Sequence, residues 1–222
     1  DFSTDRPIAS FHRLILGINA LLPHDIRCLE AFDAPYAGFH PTLDALSKTY
    51  RYSISLGTVQ APQLRRTHWH IHYPVNVDLL REAAAQIIGT HDFGGFCNQR
   101  THTPPEDTSR TVFSVDVNRT GNALTIDVQA DRFLYKMART IVGTIMWVAC
   151  EKLLPSSIPT TFHCRCRTRA GITAPAHGLS LIAVLYPAGP KACERSLRMR
   201  DGALAAKREG EQVLHRSAGD HA

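Results

Sequence analysis

The feature that most constrains the fold is an apolar run over residues 133–148, with Arg139 well inside it. Apolar side chains occur almost all round its helical wheel, which is typical of a buried helix. At about 24 Å such a helix crosses a small domain, but it is too short and too polar to cross a membrane. A guanidinium cannot shed its charge, so a buried Arg139 requires an anion. The anion is a carboxylate elsewhere in the chain or a group in an active site. The run alone slightly favours the carboxylate.

Composition is that of a globular protein, with 44% apolar and 20% charged residues among 222. This length allows one large domain or two small ones. The formal net charge of +5 favours an anionic partner such as RNA, although many unrelated proteins share it. The six cysteines are scattered along the chain, which favours reduced thiols in an intracellular compartment.

Helical and strand periods alternate irregularly along the chain, and this order predicts an α+β fold with a largely antiparallel sheet backed by helices. The predicted helices cover residues 8–22, 78–88 and 133–148, and the predicted strands cover residues 26–32, 49–56, 113–117, 124–130 and 179–186. Residues 119–122 have hairpin composition. Pro155 and Pro159 indicate a linker, and the strand over 179–186 is apolar on both faces, as in a central strand. Residues 188–222 are predicted to be a polar, basic tail that is disordered or helical.

Two clusters raise the possibility of a zinc site. The first is His68, His70 and His72, which would project from one side of a strand; the second is His163, Cys164 and Cys166. Neither has a carboxylate or cysteine pair at a spacing that completes a ligand set. An exposed polar face is therefore the favoured interpretation of the first cluster, and metal binding is disfavoured at the second.

Several segments, in this order and at these spacings, closely resemble the tRNA pseudouridine synthase A family, also called TruA. The resemblance extends over nearly all of residues 2–187, and residues 1–187 are expected to be one catalytic-type domain that is truncated at its N-terminus. The segments are Asn19-Ala20-Leu21-Leu22-Pro23-His24-Asp25-Ile26, Phe39-His40, Lys48-Thr49-Tyr50-Arg51-Tyr52, Gly89-Thr90-His91-Asp92-Phe93, Arg110-Thr111-Val112, Phe133-Leu134-Tyr135-Lys136-Met137-Ala138-Arg139-Thr140-Ile141-Val142-Gly143 and Ala174-Pro175-Ala176-His177-Gly178-Leu179.

The resemblance implies an enzyme that isomerises uridine to pseudouridine in the tRNA anticodon stem-loop, with no cofactor and no metal. It implies two ferredoxin-like halves, of which this chain holds one and part of the other, and a homodimer that grips tRNA across both subunits, in the cytoplasm or an organelle. By motif matching, Tyr50 is the tyrosine that stacks on the flipped base and Arg139 is the arginine that pairs with the catalytic aspartate.

Contacts to RNA are expected from basic side chains and from the loop over residues 97–109. The expected residues are Arg65, Arg66, His91, Arg100 and Arg110. Ordinary surface charge is an equally good interpretation of Arg65 and Arg66. Arg110 lies in a family motif, which favours RNA contact there.

The family's catalytic motif, Arg-Thr-Asp-x-Gly-Val-His, does not occur in residues 1–222. Asp5 follows a threonine, but it lacks the preceding arginine and the following glycine, so the catalytic role is not assigned to it. We therefore expect the sequence to be the C-terminal part of a synthase, inactive alone, or a non-catalytic tRNA-binding relic. The family's Phe-His-Ala-Arg is Phe39-His40-Pro41-Thr42 here, so one expected cation is missing.

Overall fold

The computed structural model describes residues 8–98 and 107–187. Within these ranges the chain divides into two compact units. One contains residues 8–45 with Tyr186 and Pro187, and the other is Leu46–Leu185. No helix in the described ranges is long and apolar enough to cross a bilayer.

The first unit contains one helix, α1 (Phe11–Leu21), close to the predicted bounds. The Ser10 side chain caps it by accepting a hydrogen bond from an amide of the first turn. The strand predicted over residues 26–32 is wrong, because this segment is irregular. The side-chain amide of Asn19 exchanges two hydrogen bonds of 2.8 and 2.9 Å with the backbone of Cys28, and these replace bonds that a neighbouring strand would make.

The second unit is built on a six-stranded, largely antiparallel sheet, which confirms the predicted α+β class. The strands are β1 (Ser47–Leu56), β2 (Trp69–Ile71), β3 (Gly89–Asp92), β4 (Ser109–Thr120), β5 (Ala123–Ala130) and β6 (Leu179–Leu185). β1 pairs along one edge with β5. Its other edge is divided between β6, which is antiparallel, and β2, which is parallel. β1 is thus the strand around which the sheet is arranged.

The predicted hairpin is confirmed, since β4 and β5 are joined through Gly121 and Asn122. Gly121 has φ +57°, a left-handed conformation that tight hairpin turns require and that glycine adopts without strain.

The described part of the second unit contains three α-helices: α2 (Val77–Ala85), α3 (Met137–Ala149) and α4 (Ser157–Cys164). α2 begins at its Asn76 cap but ends three residues before the predicted Ile88. α3 begins at Met137 and not at Phe133, because Lys136 has φ +61° and interrupts the helical path.

The linker predicted from Pro155 and Pro159 is wrong, since α4 occupies part of it. Pro159 lies in the first turn of α4. Proline is tolerated there because an amide at that position has no partner within the helix.

β6 is not a central strand. Among the described residues it pairs only with β1, and the side chains of Leu181 and Leu185 are 51% and 57% exposed. Its sequence is apolar on both faces and so predicted burial on both, but such a run cannot distinguish an edge strand from a central one.

The core is formed by buried side chains of the strands and of helices α2 and α3, among them Tyr52, Ile54, Leu80, Leu124, Ile126, Ile141 and Ile145.

Candidate active site

Tyr50 lies on β1, where alternate residues face the core. The side chains of Tyr52, Ile54 and Leu56 on the same face are buried, whereas Tyr50 is half-buried. Its ring makes an edge-to-face contact with the ring of Phe133, with 4.9 Å between centroids and 90° between planes. A strand and a perpendicular aromatic neighbour therefore hold the Tyr50 ring in place near the edge of the core.

Arg139 lies in the first turn of α3 and is half-buried. Its Nε–H donates a 2.7 Å hydrogen bond to the carbonyl oxygen of Ala174, and its own carbonyl accepts a 3.1 Å bond from the Ala174 amide. Both the backbone and the side chain of Arg139 are thus tied to one residue of the segment that leads to β6.

The terminal nitrogens of Arg139 are available to an anion. Within residues 8–98 and 107–187, no carboxylate forms an ion pair with Arg139 and no group accepts a hydrogen bond from Nη1 or Nη2. The described chain therefore does not contain the carboxylate partner that the sequence slightly favoured. A planar guanidinium in this state can bind a carboxylate or phosphate through two parallel hydrogen bonds.

Tyr52 connects the two predicted catalytic residues in space. Tyr50 lies two residues before Tyr52 on the same face of β1, at a distance of about 7 Å along the strand. The Tyr52 hydroxyl and the Arg139 Nε–H donate to the carbonyls of two successive residues, Pro175 and Ala174, so the two side chains lie near each other. Burial raises the pKa of the Tyr52 phenol, and the positive charge of Arg139 opposes that shift. Tyr50 and Arg139 accordingly face the same side of the sheet. From the sequence, Tyr52 had no predicted role beyond its place in the family motif that contains Tyr50.

Glycines allow residues 171–178 to approach α3 and β1 closely. A Cβ on Gly143 of α3 would overlap the carbonyl oxygen of Ile172. A Cβ on Gly178 would lie 2.7 Å from the Tyr52 ring. These contacts leave no room for a larger residue at either position. They therefore fix the distance of residues 171–178 from α3 and from Tyr52.

The predicted RNA-binding residues Arg65 and Arg66 follow a 3₁₀ turn over Pro62–Leu64 and are exposed. Arg100 lies outside the described residues. RNA contact by these three side chains remains a prediction.

His91 and Arg110 face each other across the β3–β4 pair, and both make local packing contacts. The His91 ring stacks on that of Phe162 with 4.4 Å between centroids. The Arg110 side chain is 11% exposed, and it donates to the carboxylate of Asp107 and to the Ser109 carbonyl. These contacts occupy much of each side chain and leave less of it free to reach RNA. The roles of His91 and Arg110 in RNA binding remain predictions.

Two of the histidines considered for zinc have other partners. The Nε2 atom of His70 lies 2.7 Å from the Gly57 carbonyl oxygen, and the His72 ring packs against Tyr73 with 4.0 Å between centroids. Over the described ranges, no group of three or more histidine, cysteine or acidic side chains is placed to hold a metal ion. The zinc alternative therefore gains no support from this part of the chain.

Comparison with known proteins gives consistent matches. The family model described as tRNA pseudouridine synthase matches residues 83–187. A protein named tRNA pseudouridine synthase A 2 from Protochlamydia amoebophila (strain UWE25) is 38% identical over 187 residues, which cover 84% of this chain and 71% of that protein. A tRNA pseudouridine synthase A from Thermoanaerobacter sp. (strain X514) is 36% identical over 186 residues, or 84% of this chain and 75% of the relative.

A third relative, tRNA pseudouridine synthase A from Geotalea daltonii, is 37% identical over 182 residues, with 82% of this chain and 72% of the relative covered. Identity at this level over most of both chains is too extensive to reflect a shared fold alone. The chain therefore belongs to the tRNA pseudouridine synthase A family.

Proposed function

We propose that this protein is a tRNA pseudouridine synthase, which isomerises uridine to pseudouridine in the tRNA anticodon stem-loop. The observation that carries the proposal is Arg139, whose Nε is bonded to the Ala174 carbonyl while its terminal nitrogens have no acceptor among the described residues. Family membership supports the same activity.

Tyr50 and Arg139 would form one side of a pocket for a uracil turned out of the RNA stem. An enzyme that acts on a base within a stem must first extrude it. The Tyr50 ring, held by Phe133, would stack on the extruded base, an interaction worth about 1–3 kcal/mol. The guanidinium of Arg139 would pair with a catalytic carboxylate and keep it ionised in a desolvated site.

The carboxylate belongs, by the family resemblance, to the Arg-Thr-Asp-x-Gly-Val-His motif, which residues 1–222 do not contain. The activity assay should therefore use the product of the full open reading frame that includes these residues. Basic residues on the surface, Arg65 and Arg66 among them, would contact the RNA backbone. A homodimer that grips tRNA across both subunits and a cytoplasmic location are part of this proposal.

The test is tritium release from tRNA labelled at C5 of uridine, because the C5 hydrogen is lost when C5 becomes bonded to the ribose. We expect Arg139→Met to lower kcat by about 100- to 1,000-fold, as when one preorganised donor is removed. Tyr50→Ala should lower it by about 10- to 100-fold through loss of base stacking. In both variants tRNA affinity should remain within about threefold, because most of it comes from backbone contacts elsewhere.

Two controls separate site effects from general damage. Arg51→Met removes a neighbouring arginine of β1 that faces the other side of the sheet and pairs with Asp127. Tyr73→Ala removes a tyrosine that is 46% exposed. Both controls should retain activity. Absence of tritium release from the intact protein would refute the proposed function, and salt-sensitive tRNA binding in that case would identify a non-catalytic tRNA-binding protein.

A further inference from the structure

Residues 171–175, which we call the strap, lie against α3 on the way to β6. The Gly171 amide donates a 2.9 Å hydrogen bond to the hydroxyl of Thr144 on α3. The guanidinium of Arg167 donates bonds of 2.7 Å to the Gly171 carbonyl and to the hydroxyl of Thr173. The beginning of the strap is therefore fixed by side chains outside the predicted catalytic pair.

The end of the strap presents two successive carbonyls to two side chains. The carbonyl of Ala174 accepts the bond from Arg139 Nε at 2.7 Å, and the carbonyl of Pro175 accepts a bond from the Tyr52 hydroxyl at 2.5 Å. The Ala174 carbonyl belongs to the peptide unit that ends at Pro175 N, and the proline ring fixes φ of Pro175, so this carbonyl cannot turn without displacing Pro175. The bond from Tyr52 therefore restrains the carbonyl to which Arg139 is bonded.

The Tyr52 side chain cannot easily move away from this position. It is completely buried, its ring lies edge-to-face with Trp69 at 5.9 Å, and the backbone of Gly178 lies directly against it. Because burial raises the pKa of its phenol, the hydroxyl keeps its proton and remains a donor throughout the physiological pH range.

We propose that Tyr52 is a positioning residue, which aims the Arg139 guanidinium by holding the strap at Pro175. This inference rests on the proposed role of Arg139 in catalysis. Among the described residues the Arg139 side chain is hydrogen-bonded only through Nε, so its terminal nitrogens can swing if the acceptor shifts. Small displacements of a catalytic group are costly to the rate. Tyr52 would thus affect turnover without touching the base or the carboxylate.

The test compares Tyr52→Phe with wild type in the full open reading frame product. The variant keeps the ring and its packing and removes only the hydroxyl. We expect kcat for tritium release to fall about tenfold while KM for tRNA changes less than about twofold, as for a loss of orientation and not of binding.

A matched control is Thr161→Val, which also removes one buried hydroxyl, that of a residue on α4 bonded to the Ser157 carbonyl at 2.7 Å. Both variants should lose a similar amount of thermal stability, but Thr161→Val should keep the wild-type kcat. Equal losses of kcat in the two variants would show that Tyr52 acts only through stability and would overturn the inference.

A second measurement does not depend on activity. Hydrogen exchange of the Arg139 Nε–H, followed by NMR and assigned from its loss in Arg139→Met, reports directly on the bond to Ala174. We expect exchange at least about fivefold faster in Tyr52→Phe than in wild type or Thr161→Val, since a hydrogen bond that opens more often protects less. Unchanged exchange would overturn the inference. Inactivity of wild type would refute the proposed function alone, because the exchange measurement would still decide the role of Tyr52.

Discussion

Gly143→Ala tests whether close contact between α3 and the strap stabilises the second unit. The added Cβ would overlap the carbonyl oxygen of Ile172 and lie 2.9 Å from its carbonyl carbon. To restore an ordinary contact of 3.4 Å, that carbon would have to move by at least 0.5 Å (3.4 − 2.9). The obstructing atoms belong to the backbone, so they cannot rotate away as a flexible side chain would.

The expected cost is near the upper end of the range for overpacking, about 3 kcal/mol, because the strap must shift together with its hydrogen bonds. For a chain of this size that corresponds to a fall in Tm of about 6–12 °C. Circular dichroism melts of the purified wild-type and variant proteins at equal concentration measure this directly.

The matched control is Gly17→Ala, the same substitution in α1, where an added Cβ meets no atom of the described residues within 4 Å. Alanine is the better helix former there, so stability should be unchanged or higher by about 0.5–1 kcal/mol. If Gly143→Ala lowered Tm by less than about 2 °C, the close approach of the strap would have no energetic importance, and the reasoning would be wrong.

Two further predictions concern stability. Asn76 caps α2 by accepting two amide hydrogen bonds, so Asn76→Ala should cost about 1 kcal/mol in urea unfolding, and Asn76→Ser should recover most of it. Burial alone would raise the pKa of Asp92, but hydrogen bonds from the Thr108 hydroxyl and the Gly94 amide, and the charge of Arg165, lower it overall. A lowered pKa in the folded state means that the ionised carboxylate stabilises the fold above its unfolded pKa of about 4, and that this stability is lost as the pH falls through the folded pKa. Asp92→Asn should therefore cost about 1–2 kcal/mol at pH 7, and the difference from wild type should shrink below about pH 4; a difference independent of pH would contradict this assignment.

Periodicity in the sequence predicted much of the fold, because burial on one face leaves a direct pattern. The alternation along Tyr50–Leu56 gave β1, and the turn at Gly121 gave the β4–β5 hairpin. The predictions failed where the structure depended on the backbone conformation of a single residue or on the number of partner strands. Lys136 delays the start of α3 through its positive φ, and β6 has an apolar sequence but only one partner strand among the described residues.

The candidate site was only partly predictable. Tyr50 and Arg139 were assigned from motifs, and their roles remain predictions. The contribution of Tyr52 was not visible, since its hydroxyl bonds to Pro175, which lies 123 positions further along the chain. Contacts between residues so distant in sequence leave no periodic signal, and the glycines that permit the close approach of the strap have no pattern of their own.

The division of one β1 edge between β2 and β6 has a consequence for synthesis on the ribosome. Ser47 pairs with Leu185, so 138 further residues must be made before that half of the edge is closed (185 − 47). Pairing across such a separation is slow to form, because a long loop must close before any contact is gained. Until then the first half of β1 has a bare row of amides and carbonyls that other nascent chains can join, so aggregation during translation should depend on how quickly the C-terminal strand emerges.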